Sequence, residues 1–360
     1  MIAKSPLAYG VPVLFVPLLM VAWWYGGIFI LLAPIFGYVI ITLFDFVVGE
    51  SNETSVTIKR SILNYKILLF SWPLIQFLLL IGSLATISFF DHLNNIEAVG
   101  LMMVQGMITG AVGITFAHEL MHRSSKIERF FADFLMGMAI YGHFRTEHVL
   151  VHHRFVGTKK DAVTARFNES FYSFFLRVIP ACFISAWQVE KKRLLIKNRN
   201  ALSYSNPFLI YFLTAFCFLC LSFVIAGLWG IMLFLLQAFV AILHLEVVNY
   251  IEHYGLVRHK TRDNKYEPTQ PHHSWNANHK ASNLLLINLQ KHSDHHAKPN
   301  REYPLLESHD HDTAPQLPFG YPIMVCVSLV PFLWKKIMNP KVLAWRKQFY
   351  PSVDQWETLQ

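Results

Sequence analysis

Long apolar stretches constrain this chain more than any other feature of its sequence. A helix needs about 20 apolar residues to cross the hydrocarbon core of a bilayer. Hydrophobic residues make up 54% of the chain and charged residues only 15%, against about 25% in soluble domains. The sequence therefore predicts an all-α, polytopic membrane protein with six transmembrane helices. These cover about residues 8–24, 28–48, 66–90, 97–117, 207–226 and 229–250.

The charges between these stretches predict how the chain is threaded. Cytoplasmic loops of membrane proteins are enriched in Lys and Arg. The turns near 25–28, 91–96 and 227–230 contain neither residue type. By contrast, the 49–65 loop contains Lys59 and Arg60, and segments 118–206 and 251–360 are rich in both types. We therefore expect one membrane-embedded domain over residues 1–360, with both termini and a His-rich helical cap in the cytoplasm.

Shorter apolar stretches are predicted to lie at the membrane interface, because a further crossing would invert the charge bias downstream. These stretches are 130–141, 170–187 and 319–334. The first apolar stretch is too long for a cleavable signal peptide and has no small-residue cleavage site. The net charge of +8 is accounted for by basic loops and does not indicate a nucleic-acid partner.

Histidine is the residue type whose placement needs a chemical explanation. Of the 18 histidines, 16 fall in the two segments after the fourth and sixth stretches. Residues three or four apart share one face of a helix and can bind one metal ion. Four clusters have such spacing or lie at a helix end: His118 and His122; His148, His152 and His153; His253; and His292, His295 and His296.

Nine clustered imidazoles are too many for one metal ion. They suit two ions with four or five ligands each, and imidazole is a good ligand for iron. Neutral imidazoles need hydrogen-bond acceptors behind them to fix their orientation. Four acidic residues beside the clusters are predicted to act in this way: Glu119, Glu147, Glu252 and Asp294. The other histidines, including His272 and His273, are predicted to be structural.

Other metal-dependent functions fit the clusters less well. The HExxH pattern at His118 also matches a zinc protease with Glu119 as general base, but such an enzyme would leave the other clusters unexplained. A membrane metal transporter is expected to hold its ligands near the bilayer midplane. Here only His244 and Glu246 penetrate the sixth predicted transmembrane helix, which disfavours transport.

The combined motifs resemble those of a known family. The HxxxH, HxxxHH and HxxHH patterns are shared by membrane fatty-acid desaturases and hydroxylases. Residues 249–256 (NYIEHYGL) and 289–297 (LQKHSDHHA) are similar to the bacterial membrane alkane 1-monooxygenases, and the resemblance covers about residues 10–345. Val151 stands where this family usually has Gly, and the HELMHR spelling at His118 is shared with xylene-type methyl hydroxylases.

The resemblance implies a specific activity. It implies a di-iron centre held by the nine histidines, dioxygen as co-substrate, and electrons from rubredoxin through a rubredoxin reductase. It also implies hydroxylation of the terminal carbon of an alkane in the inner membrane of a bacterium. A xylene-type aromatic methyl hydroxylase and a fatty-acid or lipid desaturase-hydroxylase stay open as alternatives.

Two further sets of residues are predicted to serve these roles. An alkane has no charge to bind, so a channel among the first three transmembrane helices is expected to enclose it. Its candidate wall residues are Trp23, Trp24, Phe44, Phe70 and Phe77. The candidate residues for docking an acidic reductant are Arg154, Lys191, Lys192 and Arg193, although the cytoplasmic charge bias explains the same residues without a partner.

Overall fold

Helices form nearly all the regular structure in the described part of the chain. A computed structural model describes residues 4–51, 57, 62–261, 263, 265–353 and 356. Lys59 and Arg60, which entered the orientation argument, lie outside these residues. The helices are α1 Pro6–Tyr25, α2 Gly27–Val48, α3 Leu63–Phe89, α4 Asn95–Met121, α5 Lys126–Met138, α6 (144–155), α7 Phe171–Ile196, α8 Phe208–His253, α9 Lys280–Leu285, α10 His292–Ala297, α11 Tyr321–Ser328 and α12 Pro331–Phe349.

By length and hydropathy, six of the described helices can cross a membrane: α1 to α4, α7 and α8. Helix α8 turns back on itself, because Ala226 and Gly227 have non-helical backbone angles. The ring centroids of Phe218 and Phe234 are only 6.1 Å apart, whereas 16 residues of straight helix span about 24 Å. Helix α8 therefore consists of two antiparallel arms, 208–225 and 228–253, joined at the predicted turn.

The three hairpin turns lie together at one end of the bundle. The hydroxyl of Ser88, at the end of α3, donates to the carbonyl of Ile225 over 2.6 Å. The amide of Gly27, between α1 and α2, donates to the Glu97 carboxylate over 2.7 Å. These bonds join the α1–α2, α3–α4 and α8 turns. The His-rich segments must then lie at the opposite end, which we call the histidine end.

Helix α7 lies across the histidine end, although its hydropathy is sufficient for a transmembrane helix. Near its start, Phe174 packs against Tyr250 with ring centroids 5.4 Å apart. Near its other end, Trp187 packs against Phe208 at 5.1 Å. Tyr250 and Phe208 both lie where the arms of α8 reach the histidine end. The all-α fold with six crossing helices is thus confirmed, with α1 to α4 and the two arms of α8 as the crossings.

Two glycines bring the central helix α4 close to the second arm of α8. A Cβ atom at Gly106 would collide with the Gln237 backbone, and one at Gly110 would collide with His244. This G-x-x-x-G spacing allows close backbone approach between membrane helices. The close packing places His118, at the end of α4, near His253, at the end of α8.

The segments beyond the membrane helices fold over the histidine end and are fastened to it. The Asp45 carboxylate, near the end of α2, accepts hydrogen bonds from the amides of Ala281 and Ser282 over 2.8 and 3.0 Å. Asn288 donates to the hydroxyl of Tyr9 in α1 over 2.9 Å. These contacts fix the loop that carries α9 and α10 above the bundle, and α10 supplies the last three clustered histidines.

Candidate metal centre

The nine histidines of the four clusters meet in two groups at the histidine end. Within each group, one nitrogen atom per residue lies within 4.8 Å of every other. The first group has five members, His118, His122, His148, His153 and His295, and the second has four, His152, His253, His292 and His296. We call them the five-His group and the four-His group.

Nitrogen spacing in the five-His group matches that of ligands on one ion. The Nε2 atom of His148 lies 3.0 Å from that of His122 and 3.0 Å from that of His153. The Nε2 atoms of His153 and His295 are 3.1 Å apart. Ligands bound at 2.0–2.1 Å are about 2.8 to 3.4 Å apart for bond angles between 90° and 109°. The fifth nitrogen, Nε2 of His118, is buried and has no hydrogen-bond partner among the residues that the structure describes, as expected of an atom that binds a metal.

The four-His group has the same spacing. The Nε2 atom of His292 lies 2.9 Å from that of His296 and 3.1 Å from that of His253. The Nε2 atoms of His152 and His296 are 3.3 Å apart. All four residues are buried. Both groups therefore fit a metal ion bound by Nε2 atoms.

Burial leaves these imidazoles in the protonation state that a metal requires. Burial, reinforced by neighbouring histidines, holds the pKa of His148, His153 and His295 well below the usual range. The same causes lower the pKa of His292 and His296. A neutral imidazole keeps a free lone pair, which is the form that binds metal.

The two pairs of adjacent histidines among the nine each divide between the two groups. His152 belongs to the four-His group and His153 to the five-His group, and His296 and His295 divide in the same way. Adjacent side chains on a helix point about 100° apart, so they cannot readily reach one ion. In α6 the backbone forms a π-helical turn over His148–His152, a feature frequent at functional sites. The double histidines thus hold the two groups side by side.

A carboxylate that the sequence analysis missed orients one of these ligands. The Asp161 carboxylate lies 3.0 Å from Nδ1 of His152, on the side of the ring away from the group. Burial by itself raises the pKa of Asp161, but nearby His152 and hydrogen bonds from His152 and Thr164 leave it below the usual range. Its only sequence signal is an Asx turn, in which it accepts from the amide of Val163. Asp161 holds His152 in the tautomer whose Nε2 is free.

Glu252 lies beside the four-His group itself. One carboxylate oxygen accepts a hydrogen bond from the Tyr321 hydroxyl over 2.8 Å. The other lies 3.3 Å from Nε2 of His292, the ring atom that faces the group. The sequence predicts that Glu252 accepts a hydrogen bond from the ring nitrogen that does not bind metal. In the structure its carboxylate oxygen instead lies next to the nitrogen atoms that face the group.

The other three predicted carboxylates have different surroundings. Glu119 accepts hydrogen bonds from Arg123 and from the amide of Tyr303. Asp294 forms an ion pair with Arg301 over 2.8 Å. Neither oxygen of Glu147 has a hydrogen-bond partner within the described residues. Burial, with Asp161 and Glu246 nearby, raises the pKa of Glu147 well above its usual range.

An apolar cavity reaches the five-His group from the membrane side. Its lining includes His118, His148 and Glu252, together with apolar residues of α1, α2, α4, α8, α9 and α11. The cavity also passes Tyr38 and His244. His244 precedes Glu252 by eight residues in α8, which corresponds to about 12 Å along the helix. The His244 Nδ1–H donates to the carbonyl of Val240 over 2.8 Å, so its Nε2 accepts from the Tyr38 hydroxyl over 2.9 Å.

The comparison with known families agrees with this centre. A model of the family described as fatty acid desaturase matches residues 95–328. This match runs from the start of α4 to the end of α11 and contains all nine histidines. The chain belongs to the fatty acid desaturase family.

Relatives place the chain more narrowly in this family. Alkane 1-monooxygenase 1 of Pseudomonas aeruginosa is 41% identical over 247 residues, which are 69% of this chain and 64% of the relative. The match therefore spans just under two thirds of that relative. Alkane 1-monooxygenase 1 of Alcanivorax borkumensis is 37% identical over 327 residues, 89% of this chain and 78% of the relative. The hydroxylase component XylM of the Pseudomonas putida xylene/toluene monooxygenase is 27% identical over 262 residues, 71% of this chain and 67% of that protein. Within the desaturase family, the chain belongs with the alkane 1-monooxygenases.

The predicted channel residues of this desaturase-family chain do not line its cavity. Trp24 and Phe44 are 78% and 53% exposed on the outer face of the bundle. Trp23, Phe70 and Phe77 pack between neighbouring helices. Aromatic residues in apolar sequence do not reveal whether they face lipid, another helix or a cavity, so their sequence carried no signal for the lining.

The predicted docking residues of the chain are all at its surface. Arg154, Lys191, Lys192 and Arg193 are exposed. Arg193 forms an ion pair with Glu190 over 2.7 Å. Arg154 instead lies over the ring of Phe155, 5.1 Å from its centroid. Arg154 therefore has different neighbours from the three basic residues of α7.

A third group of potential ligands, Glu267, His272 and His273, surrounds a tyrosine hydroxyl. The Tyr350 hydroxyl lies 2.5 Å from a Glu267 oxygen, 2.7 Å from Nε2 of His273 and 3.1 Å from Nε2 of His272. The amide of Gln270 donates to Nδ1 of His273 over 2.8 Å, so the ring proton is on Nε2. That nitrogen is a donor, and the group is a hydrogen-bonded junction between this loop and the C-terminal segment.

Proposed function

We propose that this chain is a membrane di-iron monooxygenase that hydroxylates the terminal carbon of alkanes. The observation that carries the proposal is the apolar cavity that ends at His118 and His148 of the five-His group. An apolar cavity selects a substrate without charges, and the end of the cavity determines which carbon is nearest to the ion. The family of the chain and its alkane 1-monooxygenase relatives support the same activity.

The chain's own residues bind and place the substrate. Each methylene group removed from water contributes about 0.8 kcal/mol, so the cavity lining supplies the affinity. Two irons, held by the five-His and four-His groups, would supply the activation of dioxygen. Asp161 keeps His152 oriented, Glu252 holds an oxygen beside the four-His group, and Tyr321 fixes Glu252 through its hydroxyl.

Substrate would enter from the bilayer through the wall formed by Tyr38 and Pro322. These two residues line both the inner cavity and a groove on the outer surface between α2 and α11. Other groove residues, such as Val39 and Leu43, are about half exposed at 49% and 55%. An alkane dissolved in lipid therefore has a short path between two apolar surfaces, interrupted only at this wall.

Two further parts of the proposal concern surroundings and partners. We place the chain in the inner membrane of a bacterium, with the histidine end and both termini in the cytoplasm, because the basic segments 118–206 and 251–360 follow the positive-inside bias. Rubredoxin, reduced by a rubredoxin reductase, would deliver the electrons. The basic residues Arg154, Lys191, Lys192 and Arg193 are candidates for its docking.

Metal analysis and product identification together test this function. Purified protein should contain two iron ions per chain and convert octane or hexadecane to the 1-alkanol, in competition with xylene and an acyl lipid. Methylbenzyl alcohol as the main product would assign the chain to the xylene-type activity, and an unsaturated acyl chain would assign it to desaturation. Absence of iron from the active protein would refute the di-iron centre.

Two ligand variants sharpen the test. His295→Ala removes a ligand of the five-His group and His253→Ala one of the four-His group. Each should abolish turnover while membrane insertion stays intact. His259→Ala, at an exposed histidine outside both groups, is the matched control and should retain activity. Near wild-type turnover in either ligand variant would remove that residue from the centre.

A further inference from the structure

A basic cleft lies between helix α7 and the loop 157–166 that follows α6. Its volume is about 750 Å³, and its lining includes Lys159, Lys160, Arg166 and Arg177. None of the nine clustered histidines belongs to this lining. The proposed hydroxylation therefore gives the cleft no role, although it is one of the larger hollows at the histidine end.

Three basic side chains of the cleft are available to bind an anion. Lys159, Lys160 and Arg166 are exposed, and none of them pairs with a carboxylate within the described residues. The ammonium group of Lys160 lies over the ring of Phe155, 5.5 Å from its centroid. This contact orients the side chain but leaves its charge without a counter-ion.

The acidic groups near the cleft do not neutralise these three charges. Glu169 is already bound to Arg177 over 2.9 Å. Asp161 is buried, and its carboxylate accepts a hydrogen bond from Thr164 and lies 3.0 Å from Nδ1 of His152. The cleft is therefore electropositive after the ion pairs within the chain are counted.

Helix α7 holds the cleft at the boundary of the membrane. Phe175 packs against Phe239 with ring centroids 6.0 Å apart. Phe239 is 51% exposed and lies in the second arm of α8, which crosses the membrane, so this part of α7 reaches the lipid-facing surface of the bundle. On the outer side of α7, Leu176 and Phe183 are also exposed, at 76% and 40%.

The cleft and the apolar side of α7 adjoin each other on the helix. Residues 177, 181, 184 and 188 line the cleft and share one helical face, because they are spaced by three or four residues. Leu176 and Phe183 each precede one of these positions, and adjacent residues point about 100° apart. Ile184 lines the cleft and is 52% exposed. A ligand with an anionic group in the cleft can thus lay apolar chains along the neighbouring side of α7.

We propose that this cleft binds the headgroup phosphate of an anionic phospholipid, whose acyl chains lie along the apolar side of α7. Basic pockets beside membrane helices bind headgroups of this kind. A free phosphate ion would use the same three cations but would gain nothing from the apolar side. Lipid binding here needs neither metal nor turnover, so it is independent of the proposed function.

Lys191 and Lys192 provide a matched control for the cations of the cleft. Both belong to α7 and are exposed, as Lys159 and Lys160 are, but neither lines the cleft. The K159Q/K160Q and K191Q/K192Q variants therefore remove the same charge from exposed lysine pairs and differ in position. For the apolar side, Ile184→Ser is paired with Leu195→Ser, since Leu195 is 69% exposed and lies outside the cleft.

The experiment counts bound lipid molecules by native mass spectrometry. The full chain in a neutral detergent is freed of co-purifying lipid and titrated with dioctanoyl phosphatidylglycerol. Dioctanoyl phosphatidylcholine, which has no net charge, should bind more weakly. We expect K159Q/K160Q to raise Kd for phosphatidylglycerol about twentyfold, because each lysine near an anionic headgroup contributes about fivefold to binding. K191Q/K192Q should change Kd less than about twofold, because its charges are removed from the headgroup and screened by salt.

Inorganic phosphate distinguishes the two sources of the anion. Ile184→Ser should raise Kd for phosphatidylglycerol several-fold, since it removes apolar surface that the acyl chains cover, and should leave phosphate binding unchanged. Leu195→Ser should alter neither. Equal affinities for phosphatidylglycerol and inorganic phosphate would overturn the lipid site in favour of a free phosphate site. Equal weakening by both lysine pairs, or by neither, would also overturn it, because binding would then depend on diffuse surface charge or on another part of the chain.

Discussion

Asp161 shows how one residue outside the clusters controls a ligand inside them. It accepts from Nδ1 of His152, and Thr164 donates to the same carboxylate over 2.6 Å. Partners of this kind typically contribute 10- to 100-fold to metal affinity. We expect Asp161→Asn to weaken iron(II) binding at the four-His group by about that factor, as measured by titration of metal-free protein. The amide retains the volume of the side chain but loses the charge that fixes the tautomer of His152.

Asp310→Asn serves as the control for this variant. Asp310 is exposed, and its carboxylate accepts a hydrogen bond from the amide of nearby Thr313, so its loss should not change iron(II) affinity. Equal affinities of both variants and the wild-type chain would mean that Asp161 is not needed to orient His152.

The site residues differ in how far the sequence could predict them. All nine clustered histidines lie in the two groups because their spacings follow helix geometry, which is local. Asp161 follows His152 by nine residues through a loop whose path depends on contacts such as Gly157 with Arg258, so no spacing predicts their meeting. The cavity lining was missed for a related reason: residues such as His244 and Tyr38 meet only when α2 packs against α8.

At the scale of elements, a π-helical segment of α2 places Tyr38 in the wall between cavity and lipid. This segment, Ile35–Ile40, interrupts the regular helix at the point where the wall is one side chain thick. Tyr38→Ala should join the cavity to the groove, so that the enlarged cavity accommodates longer alkane chains. We expect the ratio of hexadecane to octane hydroxylation to rise several-fold, because each further methylene group buried is worth about 0.8 kcal/mol.

Two control variants test the wall: one removes only the hydroxyl of Tyr38, and the other changes only the outer groove. Tyr38→Phe retains the wall and removes only the hydrogen bond to His244, so it should keep a ratio near that of the wild type. Val39→Ala, which changes the groove alone, should also do so. A shift of equal size in all three variants would show that the wall does not select chain length.

The hairpin within α8 depends on the backbone of Gly227. Its φ of 61° and ψ of −148° lie in a region that is essentially restricted to glycine and costs other residues about 1–3 kcal/mol. A Cβ atom there would meet nothing within 4 Å, so backbone conformation alone determines the effect. We expect Gly227→Ala to lower the free energy of unfolding in detergent micelles by about this amount.

Gly10→Ala is the matched control for the hairpin. A Cβ atom at Gly10 also meets nothing within 4 Å, and Gly10 has no positive φ. The Gly10→Ala variant should have an unfolding midpoint in detergent micelles equal to or above that of the wild-type chain. Unchanged stability of Gly227→Ala would mean that the α8 turn adopts another conformation in the membrane.

Element prediction succeeded where length and hydropathy decide the outcome. The turn at 227–230 was predicted because Gly and Trp interrupt an apolar run that is too long for one crossing. Helix α7 is harder, because Phe171–Ile196 has the hydropathy of a membrane span yet lies across the bundle. The charge bias in the sequence predicted that this stretch lies at the interface and ends near residue 187. The helix continues to Ile196, because Glu190 and Leu194 are buried against the cap.

At the scale of the whole molecule, the two groups connect segments that are distant in sequence. Ligands come from the end of α4, from α6, from the end of α8 and from α10. The bundle itself has a separate apolar core, including Leu80, Leu84 and Phe234, that contains none of these histidines. Metal ions should therefore stabilise the cap against the bundle more than they stabilise the bundle.

Removal of metal tests this division. An ion that binds only the folded state stabilises it by about 4 kcal/mol when its concentration is a thousandfold above Kd. In chelator-treated protein, amide hydrogen exchange should accelerate in α6 and α10, because their buried imidazoles then face one another without an ion. The first arm of α8, residues 208–225, supplies no ligand and should exchange at its former rate. Iron(II) should restore the protection of α6 and α10. Equal acceleration along the chain would instead mean that the bundle cannot fold without its metals.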